Sequence, residues 1–470
     1  MKAFSFFKSL ARLLFLNLLI KPLWIFGVDR QVQNIVGHEA YGTYFSLLNL
    51  SMVFSFVTDA GLSNMMNRQL ASGVPYHVAQ LVRIKFFLAA AYSVLVLTIA
   101  WVTGVQHWRI LVLVIGIQVL LSFFSFFRSL ITAYQLFQWD AWLSVVDKIL
   151  MLALFLPLLY GQLFQIPITV LFFLEAQLVF IMIALCMAIG IIVRMRLLRT
   201  DAALLKGRML LKSVTPYALI LLTMAAHNRL DGFLLERLHH NGAYEAGVYA
   251  ASYRLLDASN MLGYIVASFL VPFLARHRAD KPLVQETVST VRFGLLLFGI
   301  FTALFLVLFA APVQQLLYPA ATTYTVLVLQ WCLPVLPAYL LLQVYGSVLT
   351  AMAQLKPFLV LLATSVLINI LLNILLIPQW GAVGCCLAAL VSQYFCAISV
   401  YFVATSKNTL QHNVRQWRSL GVGTLVLGGL FYAGRSYLHP VLAAGIGGSL
   451  VMLVLFAYLP RLKQTFSLSR

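Results

Sequence analysis

Long apolar runs follow one another along almost the whole chain, with short polar or Gly/Pro-marked breaks between them. Backbone N–H and C=O groups in lipid need partners within the same segment, so runs of about 20 residues indicate membrane-crossing helices. The pattern predicts an all-α polytopic membrane protein with about 14 transmembrane helices. The predicted spans are 10–35, 41–70, 80–104, 108–134, 140–160, 167–193, 212–236, 243–274, 285–310, 322–351, 357–377, 382–404, 417–434 and 439–460.

The composition supports a membrane protein. Of the 470 residues, 62% are hydrophobic and 10% are charged. A soluble domain of this size needs far more charge on its surface. Lipid is therefore the expected solvent for most of the side chains.

The charge is strongly positive, with 32 Lys and Arg residues against 13 Asp and Glu residues. In a soluble protein this excess would suggest a nucleic-acid partner, but here the basic residues flank the apolar spans and favour membrane lipids instead. With the N-terminus inside the cell, 24 basic residues lie on the cytoplasmic side, Lys85 and Arg292 among them, against three on the outer side. Both termini are therefore predicted to be cytoplasmic, and no nucleic-acid partner is expected.

No motif for covalent chemistry is present. The five cysteines all lie in apolar runs without metal-ligand spacing to histidine, so neither a disulfide framework nor a metal site is predicted. The chain has no Ser-His-Asp arrangement, HExxH motif, phosphate-binding loop or GxGxxG motif before a helix. We expect a protein that is not an enzyme and has no bound cofactor.

A weak internal repeat suggests two related halves. Gly42-Thr43-Tyr44 has a counterpart in Gly247-Val248-Tyr249, and Asp29 has one in Asp231. Six spans separate the two segments, which predicts a parallel repeat with an N-lobe at 1–200, a C-lobe at 201–406 and two appended helices at 407–470. Chance similarity between apolar sequences is the alternative.

Four intramembrane acids are candidates for ion coupling or charge pairing: Asp29, Asp59, Asp231 and Asp257. Asp59 fits proton or ion coupling, because burial in lipid favours the protonated acid, but it also fits a salt bridge to the first span. Asp257 is three residues after Arg254 on one helical face, where it either neutralises Arg254 or orients it.

Adjacent residues on a helix point about 100° apart. For this reason neither the neighbours Asp29 and Arg30 nor Asp147 and Lys148 are expected to neutralise one another.

Four intramembrane cations are predicted to bind substrate in a cavity: Arg30, Arg229, Arg254 and Lys21. A guanidinium stays charged and offers two parallel hydrogen bonds to phosphate oxygens, so it suits a phosphate-bearing cargo. Arg229, near the outer end of its span, can alternatively extend to the membrane interface.

Four patches resemble a known family of membrane transporters. They are 37–44 with Asp59-Ala60-Gly61-Leu62 and Arg68, then Asp231 through 247–255, then Leu317-Tyr318-Pro319 to Tyr324, and finally Asn369 to Asn373 with 377–381 and Gly384. In order and spacing they resemble polysaccharide (O-antigen type) flippases of the multidrug/oligosaccharidyl-lipid/polysaccharide (MOP) exporter superfamily.

The resemblance implies two six-helix lobes that open alternately to either side of the membrane. The implied cargo is an undecaprenyl-pyrophosphate-linked oligosaccharide, moved from the cytoplasmic to the outer leaflet of a bacterial inner membrane for surface polysaccharide assembly. Polysaccharide polymerase and glycosyltransferases are the implied partners, and coupling to H⁺ or Na⁺ is left open. In relatives that flip lipid II, two extra C-terminal helices help to hold the lipid tail, a role that spans 13 and 14 can share.

Two other functions are left open. A cation-coupled multidrug exporter of the same superfamily would depend on acids rather than arginines in its cavity. A membrane enzyme of polysaccharide assembly would leave an altered glycan, and it is disfavoured because no gap between spans can hold a catalytic domain.

Overall fold

A computed structural model describes residues 16–17, 19–63, 66, 78–134, 136–161, 167–195, 207–411, 414–434, 442 and 449, with the side chains of 207–217 and 415 excepted. All regular secondary structure within these residues is helical. The helices are α1 (Leu19–Thr58), α2 (Val78–Val102), α3 (Trp108–Ala133), α4 (Phe137–Tyr160), α5 (Val170–Arg194), α6 (Gly207–Leu238), α7 (Gly242–Arg276), α8 (Lys281–Leu308), α9 (Ala310–Leu317), α10 (Thr323–Cys332), α11 (Leu336–Ala351), α12 (Leu355–Asn408) and α13 (Val414–Gly434).

Ten helical stretches in the described part of the chain are long and apolar enough to cross a membrane. Two of them, α1 and α12, are interrupted at Gly37 and Gly381, so the ten stretches contain twelve apolar segments. The predicted all-α polytopic fold is confirmed. Helix α13 covers the predicted thirteenth span, whereas the span at 439–460 lies outside the described residues except Leu442 and Ser449, so the total of 14 stays a prediction.

The break in α1 is shorter than the sequence suggested. The spans predicted at 10–35 and 41–70 imply a break over about five residues, but only Gly37 leaves the helical conformation, with φ 82° and ψ 169°, and the helix continues directly from His38. Glycine adopts this conformation easily because it has no Cβ, so one residue is enough to redirect the chain. The predicted break is therefore reduced to a single residue.

The chain divides into two compact units, which are Met1–Glu236 and Arg237–Arg470. The first unit includes nearly all of α6, which had been predicted to open the C-lobe. Leu230 and Phe233 of α6 pack with Leu47 and Leu50 of α1, and these apolar contacts explain why α6 belongs with the first unit. The predicted lobes at 1–200, 201–406 and 407–470 stay predictions.

The first unit has its main apolar core among α2, α3, α4 and α5. Phe124 and Phe126 of α3 pack there with Leu143 of α4 and Ile181 of α5. Large apolar side chains also cover the outside, including the exposed residues Phe87 and Trp101 of α2. An apolar exterior is what a protein surrounded by lipid requires.

The second unit is organised around α11, which packs against α7, α8 and α12. Helix α13 packs against α8 through an aromatic group in which Phe431 lies 5.8 Å from both Phe301 and Phe305 and 6.0 Å from Phe309, measured between ring centroids. Tilted and edge-on aromatic contacts of this kind add to the apolar packing. Helix α13 is thus part of the folded second unit.

The break in α12 is stabilised by a buried carboxylate. The Glu245 side chain of α7 accepts a hydrogen bond from the Ala382 N–H at 2.7 Å and another from the Tyr324 hydroxyl of α10. Gly381, with φ 52°, precedes Ala382, and a Cβ at this glycine would lie 2.5 Å from Oε2 of Glu245. Glu245 therefore caps the second part of α12 and ties three helices together.

We predict that Gly381→Ala destabilises the protein more than Gly37→Ala does. Both substitutions place a side chain in a backbone region that favours glycine, which costs about 1–3 kcal/mol. Only Gly381→Ala also forces the new methyl group against Glu245, which adds roughly 1–3 kcal/mol, whereas a Cβ at Gly37 meets no atom within 4 Å. Thermal unfolding midpoints of the purified protein in detergent measure the difference.

Gly428→Ala in α13 is the control for these two variants, because its Cβ also meets nothing within 4 Å and its backbone is helical. It should unfold close to the wild-type midpoint. A Gly381→Ala midpoint as high as that of Gly428→Ala would contradict the assigned break.

Candidate functional site

A group of charged side chains joins α1 and α4 within the first unit. The Lys148 ammonium lies 3.1 Å from Oδ2 of Asp147 and 4.2 Å from the centre of the Trp24 ring. Lys21, one turn before Trp24, is within electrostatic range of Lys148, Asp147 and Arg128. The expectation that Asp147 and Lys148 cannot neutralise one another is wrong, because the flexible lysine side chain bridges the angle between neighbouring positions.

Helix α3 contributes a further ion pair to this group. Nε of Arg128 donates to Oδ1 of Asp140 at 2.7 Å, and Asp140 lies in the first turn of α4. We call Lys21, Arg128, Asp140, Asp147 and Lys148 the first-unit charge cluster. Three cations and two carboxylates leave it with one excess positive charge.

Arg30 and Asp29 lie apart from this cluster. Tyr160 is twelve residues beyond Lys148 on α4, a distance of about 18 Å along a helix. Nη2 of Arg30 lies 3.4 Å from the Tyr160 hydroxyl and 3.3 Å from Oε1 of Gln31. No carboxylate among the described residues forms an ion pair with Arg30, and its buried Nε–H has no acceptor there.

Asp29 points to a different neighbour from Arg30. Its buried carboxylate accepts a hydrogen bond from the Tyr41 hydroxyl at 3.0 Å. Tyr41 follows the break at Gly37, so this bond connects the two parts of α1. The expectation that Asp29 and Arg30 do not neutralise one another agrees with these separate contacts.

Asp59, just after α1, is bound by Lys85 of α2. The Lys85 ammonium lies 2.8 Å from Oδ1 of Asp59, 3.1 Å from the Thr58 carbonyl oxygen and 2.7 Å from Oγ of Ser122 in α3. These three acceptors use all three ammonium hydrogens. Asp59 does form a salt bridge, but the predicted partner in the first span is wrong, because the cation is Lys85 of α2. A coupling role for Asp59 stays a prediction.

Two buried cations were missed by the sequence reasoning. Lys85 and Arg292 had been counted among the cytoplasmic charges, yet they are 0% and 2% exposed. Lys85 lies seven residues inside α2 and Arg292 eleven residues inside α8. Their depth in the apolar helices was the available sign, since a flanking charge lies within the first or last turn.

Arg292 connects three helices of the second unit. Its guanidinium donates to the Tyr345 hydroxyl of α11 at 3.2 Å and to Oε1 of Gln416 in α13, and it lies 4.8 Å from the centre of the Trp417 ring. No carboxylate in the described part of the chain pairs with it. The contacts bind α13 to the second unit through a charge.

The remaining predicted site residues are divided between the units. Arg229, half-buried, and Asp231, buried, lie on α6 in the first unit. Arg254, 7% exposed, and Asp257, half-buried, lie on α7 in the second unit, where Nη1 of Arg254 is 3.5 Å from the Tyr318 hydroxyl. Their roles stay predictions, as does the choice between pairing and orientation for Asp257.

The two repeated motifs occupy matching positions. Gly42-Thr43-Tyr44 begins five residues after Gly37, where the second part of α1 starts, and Gly247-Val248-Tyr249 begins five residues after Gly242, the start of α7. All six residues are buried. This local correspondence is consistent with the repeat, which stays a prediction.

Asn369 and Asn373, four residues apart on one helical face, are predicted to form hydrogen-bonding contacts between helices. Nδ2 of Asn373 donates to Oδ1 of Asn369 at 3.1 Å, and Nδ2 of Asn369 lies 3.2 Å from Oγ of Ser392 beyond the break in α12. The interpretation as structural contacts is confirmed.

The fold is similar to that of several solved membrane proteins. A lipid II flippase MurJ in its inward closed conformation has a TM-score of 0.66 at 14% sequence identity, covering 93% of this chain and 97% of that chain. An inward-facing multidrug resistance MATE family transporter of the MOP superfamily has a TM-score of 0.64 at 12% identity, covering 82% and 94%. The Vibrio cholerae MATE transporter VcmN, in a mutant form, has a TM-score of 0.60 at 15% identity, covering 86% and 97%.

No family model matches the sequence, and no curated protein matches it. At such low identities the structural likenesses show the fold alone. The chain has the all-α membrane fold of the MurJ and MATE structures.

We predict that Asp59→Ala destabilises the protein more than Lys85→Met does. Loss of Asp59 leaves a fully buried ammonium without a counter-charge, at a cost of about 3–5 kcal/mol. Loss of Lys85 leaves a carboxylate that is 29% exposed and still accepts hydrogen bonds from Ser63, so its cost is smaller. Thermal unfolding midpoints at one heating rate provide the comparison.

The double variant Asp59→Ala/Lys85→Met is the control, because it removes both charges. It should be more stable than Asp59→Ala alone. Equal midpoints for the two single variants would show that the pair does not carry the buried charge as described.

Proposed function

We propose that this chain is a flippase for undecaprenyl-pyrophosphate-linked oligosaccharides. It moves the lipid-linked sugar from the cytoplasmic to the outer leaflet of a bacterial inner membrane by alternating access, for assembly of a surface polysaccharide. Both termini face the cytoplasm, and the protein catalyses no covalent reaction. Polysaccharide polymerase and glycosyltransferases are its proposed partners.

The excess positive charge of the first-unit charge cluster is the observation that carries this proposal. Lys21, Arg128 and Lys148 belong to membrane-crossing helices, where an unbalanced charge is expensive. An anionic cargo provides the missing counter-charge when it binds. A pyrophosphate suits the purpose, because ammonium and guanidinium groups form strong charge-assisted hydrogen bonds with phosphate oxygens.

Arg30 supports the same conclusion from a second position on α1. Among the described residues, the only hydrogen-bonding partners of its guanidinium are neutral side chains, and its buried Nε–H has no acceptor. An unpaired buried donor is costly, so a ligand oxygen that accepts from it gains binding energy. Lys21 and Arg30 are nine residues apart on α1, about 14 Å along the helix axis.

The likeness to a lipid II flippase adds support for a lipid-linked cargo. It extends over 93% of this chain. A shared fold also accommodates a different cargo, so the argument for pyrophosphate depends on the cations above.

A cation-coupled multidrug exporter is the second candidate. The likeness to MATE transporters favours it, as do the buried acids Asp29 and Asp231, which are suitable carriers of H⁺ or Na⁺. In that function Asp29→Asn or Asp231→Asn abolishes drug transport, and loss of Arg30 has little effect.

Reconstituted vesicles test the flippase directly. We predict that the wild type exposes an undecaprenyl-pyrophosphate-linked oligosaccharide on the opposite leaflet, where an added glycosidase cleaves it. Arg30→Gln and Lys148→Gln should each lower the initial rate about tenfold or more, since a lost charged hydrogen bond costs roughly 1.5–3 kcal/mol. Arg83→Gln, an exposed residue of α2, removes the same charge elsewhere and should leave the rate unchanged.

The opposite outcome is equally clear. Full rates for both Arg30→Gln and Lys148→Gln would refute the assigned anion contacts. Absence of any flipping by the wild type, together with drug efflux that Asp29→Asn abolishes, would establish the second candidate instead.

A further inference from the structure

A cavity of about 630 Å³ lies at one end of the second unit, and none of the residues assigned to the cargo lines it. Its walls are the segment that leads into α8, the turn between α11 and α12, and the end of α12. Arg278, Lys281, Glu286 and Lys407 provide the charged groups of its lining.

Two pairs of residues hold these walls together through amide hydrogen bonds. Gln285 of α8 and the backbone of Gln411 exchange two hydrogen bonds, with Nε2 to the Gln411 carbonyl oxygen at 3.0 Å and the Gln411 N–H to Oε1 at 2.8 Å. Gln354 and Asn408 likewise exchange two bonds, of 3.0 and 3.2 Å, across the two ends of α12. The cavity is thus built before any ligand arrives, which lowers the cost of binding.

The cations of the cavity take part in none of the ion pairs described above. Those pairs involve Lys85, Arg128 and Lys148, and none includes Arg278, Lys281 or Lys407. Glu286 in the lining and the adjacent Asp280, which accepts from the Leu283 N–H, supply two negative charges against these three positive charges. The cavity therefore has an unbalanced positive charge that favours an anion.

The position of the cavity indicates where this anion comes from. Membrane-crossing helix α8 begins at Lys281 and α12 ends at Asn408, so the cavity is at the level where a bilayer changes from hydrocarbon to head groups. Pro282, Met352 and Leu410 add an apolar part to the lining. On the predicted cytoplasmic side the neighbouring leaflet is rich in anionic lipid.

We propose that this cavity binds the phosphate head group of an anionic phospholipid, with Arg278, Lys281 and Lys407 contacting the phosphate. The site is separate from the cargo and does not depend on the proposed flippase activity. Free phosphate has the same chemistry, but it lacks the glycerol and acyl groups that the apolar part of the lining accommodates.

Native mass spectrometry of the full-length protein, titrated with phosphatidylglycerol or phosphatidylcholine, tests the site. The wild type should retain phosphatidylglycerol in preference to phosphatidylcholine. The triple variant Arg278→Gln/Lys281→Gln/Lys407→Gln should bind phosphatidylglycerol at least about tenfold more weakly, because each cation near an anionic lipid contributes roughly a factor of five. Inorganic phosphate should neither compete nor raise the thermal unfolding midpoint.

A matched triple variant, Arg83→Gln/Arg194→Gln/Arg418→Gln, removes the same charge from exposed positions that do not line the cavity and should keep the wild-type affinity. Equal losses in the two triple variants would overturn the site in favour of general surface attraction. Competition by inorganic phosphate at the same concentration as the lipid would overturn the lipid as its ligand. If the triple variant is poorly folded, the single variant Lys407→Gln replaces it in the test and should show an intermediate affinity for phosphatidylglycerol. Wild-type affinity in Lys407→Gln would overturn the proposal.

Discussion

Polar groups buried in the protein or in lipid have no water as a hydrogen-bonding partner, and this constraint explains the main polar contacts of the described residues. Where α12 is broken at Gly381, the N–H of Ala382 would be left without a carbonyl oxygen, and the Glu245 carboxylate accepts its hydrogen bond. Tyr324 donates to the same carboxylate, so the charge is itself surrounded by donors. A local change of backbone direction thus requires a side chain from another helix, and α7, α10 and α12 are fixed together as a result.

The same constraint separates two kinds of buried charge. Lys85 has an acceptor for each ammonium hydrogen and a carboxylate at 2.8 Å, so its desolvation is compensated within the protein. Arg30 has neutral oxygen partners and a buried Nε–H with no acceptor among the described residues. A fully compensated charge holds helices together and gains little from a ligand. An incompletely compensated charge is stabilised by an anionic ligand, which is why Arg30 is a stronger candidate for cargo binding than Lys85.

The spans were predictable from the sequence because lipid imposes a simple pattern on helix length and apolarity. The length of the break in α1 was not predictable, because the polar residues after Gly37 resemble a loop although only the glycine leaves the helical conformation. Pairing between side chains was also beyond the pattern. Asp59 was recognised as a buried acid, but its partner Lys85 is 26 positions away on another helix, and no local spacing connects the two. Because the chain has so many basic residues, Lys85 and Arg292 were counted with the charges that set the membrane orientation, although both are buried.

Arg292 also shows that α13 is part of the second unit. In the predicted repeat, everything after 406 is an addition to two complete lobes. Arg292 is nevertheless buried inside the second unit, and Gln416 and Trp417 of α13 supply two of its contacts. Without α13 this guanidinium would keep Tyr345 as its remaining hydrogen-bonding partner among the described residues, a costly arrangement for a buried ion that cannot lose its proton. Helix α13 is therefore required by a charge in α8, and a role for it in holding a lipid tail would use a helix that the second unit already needs.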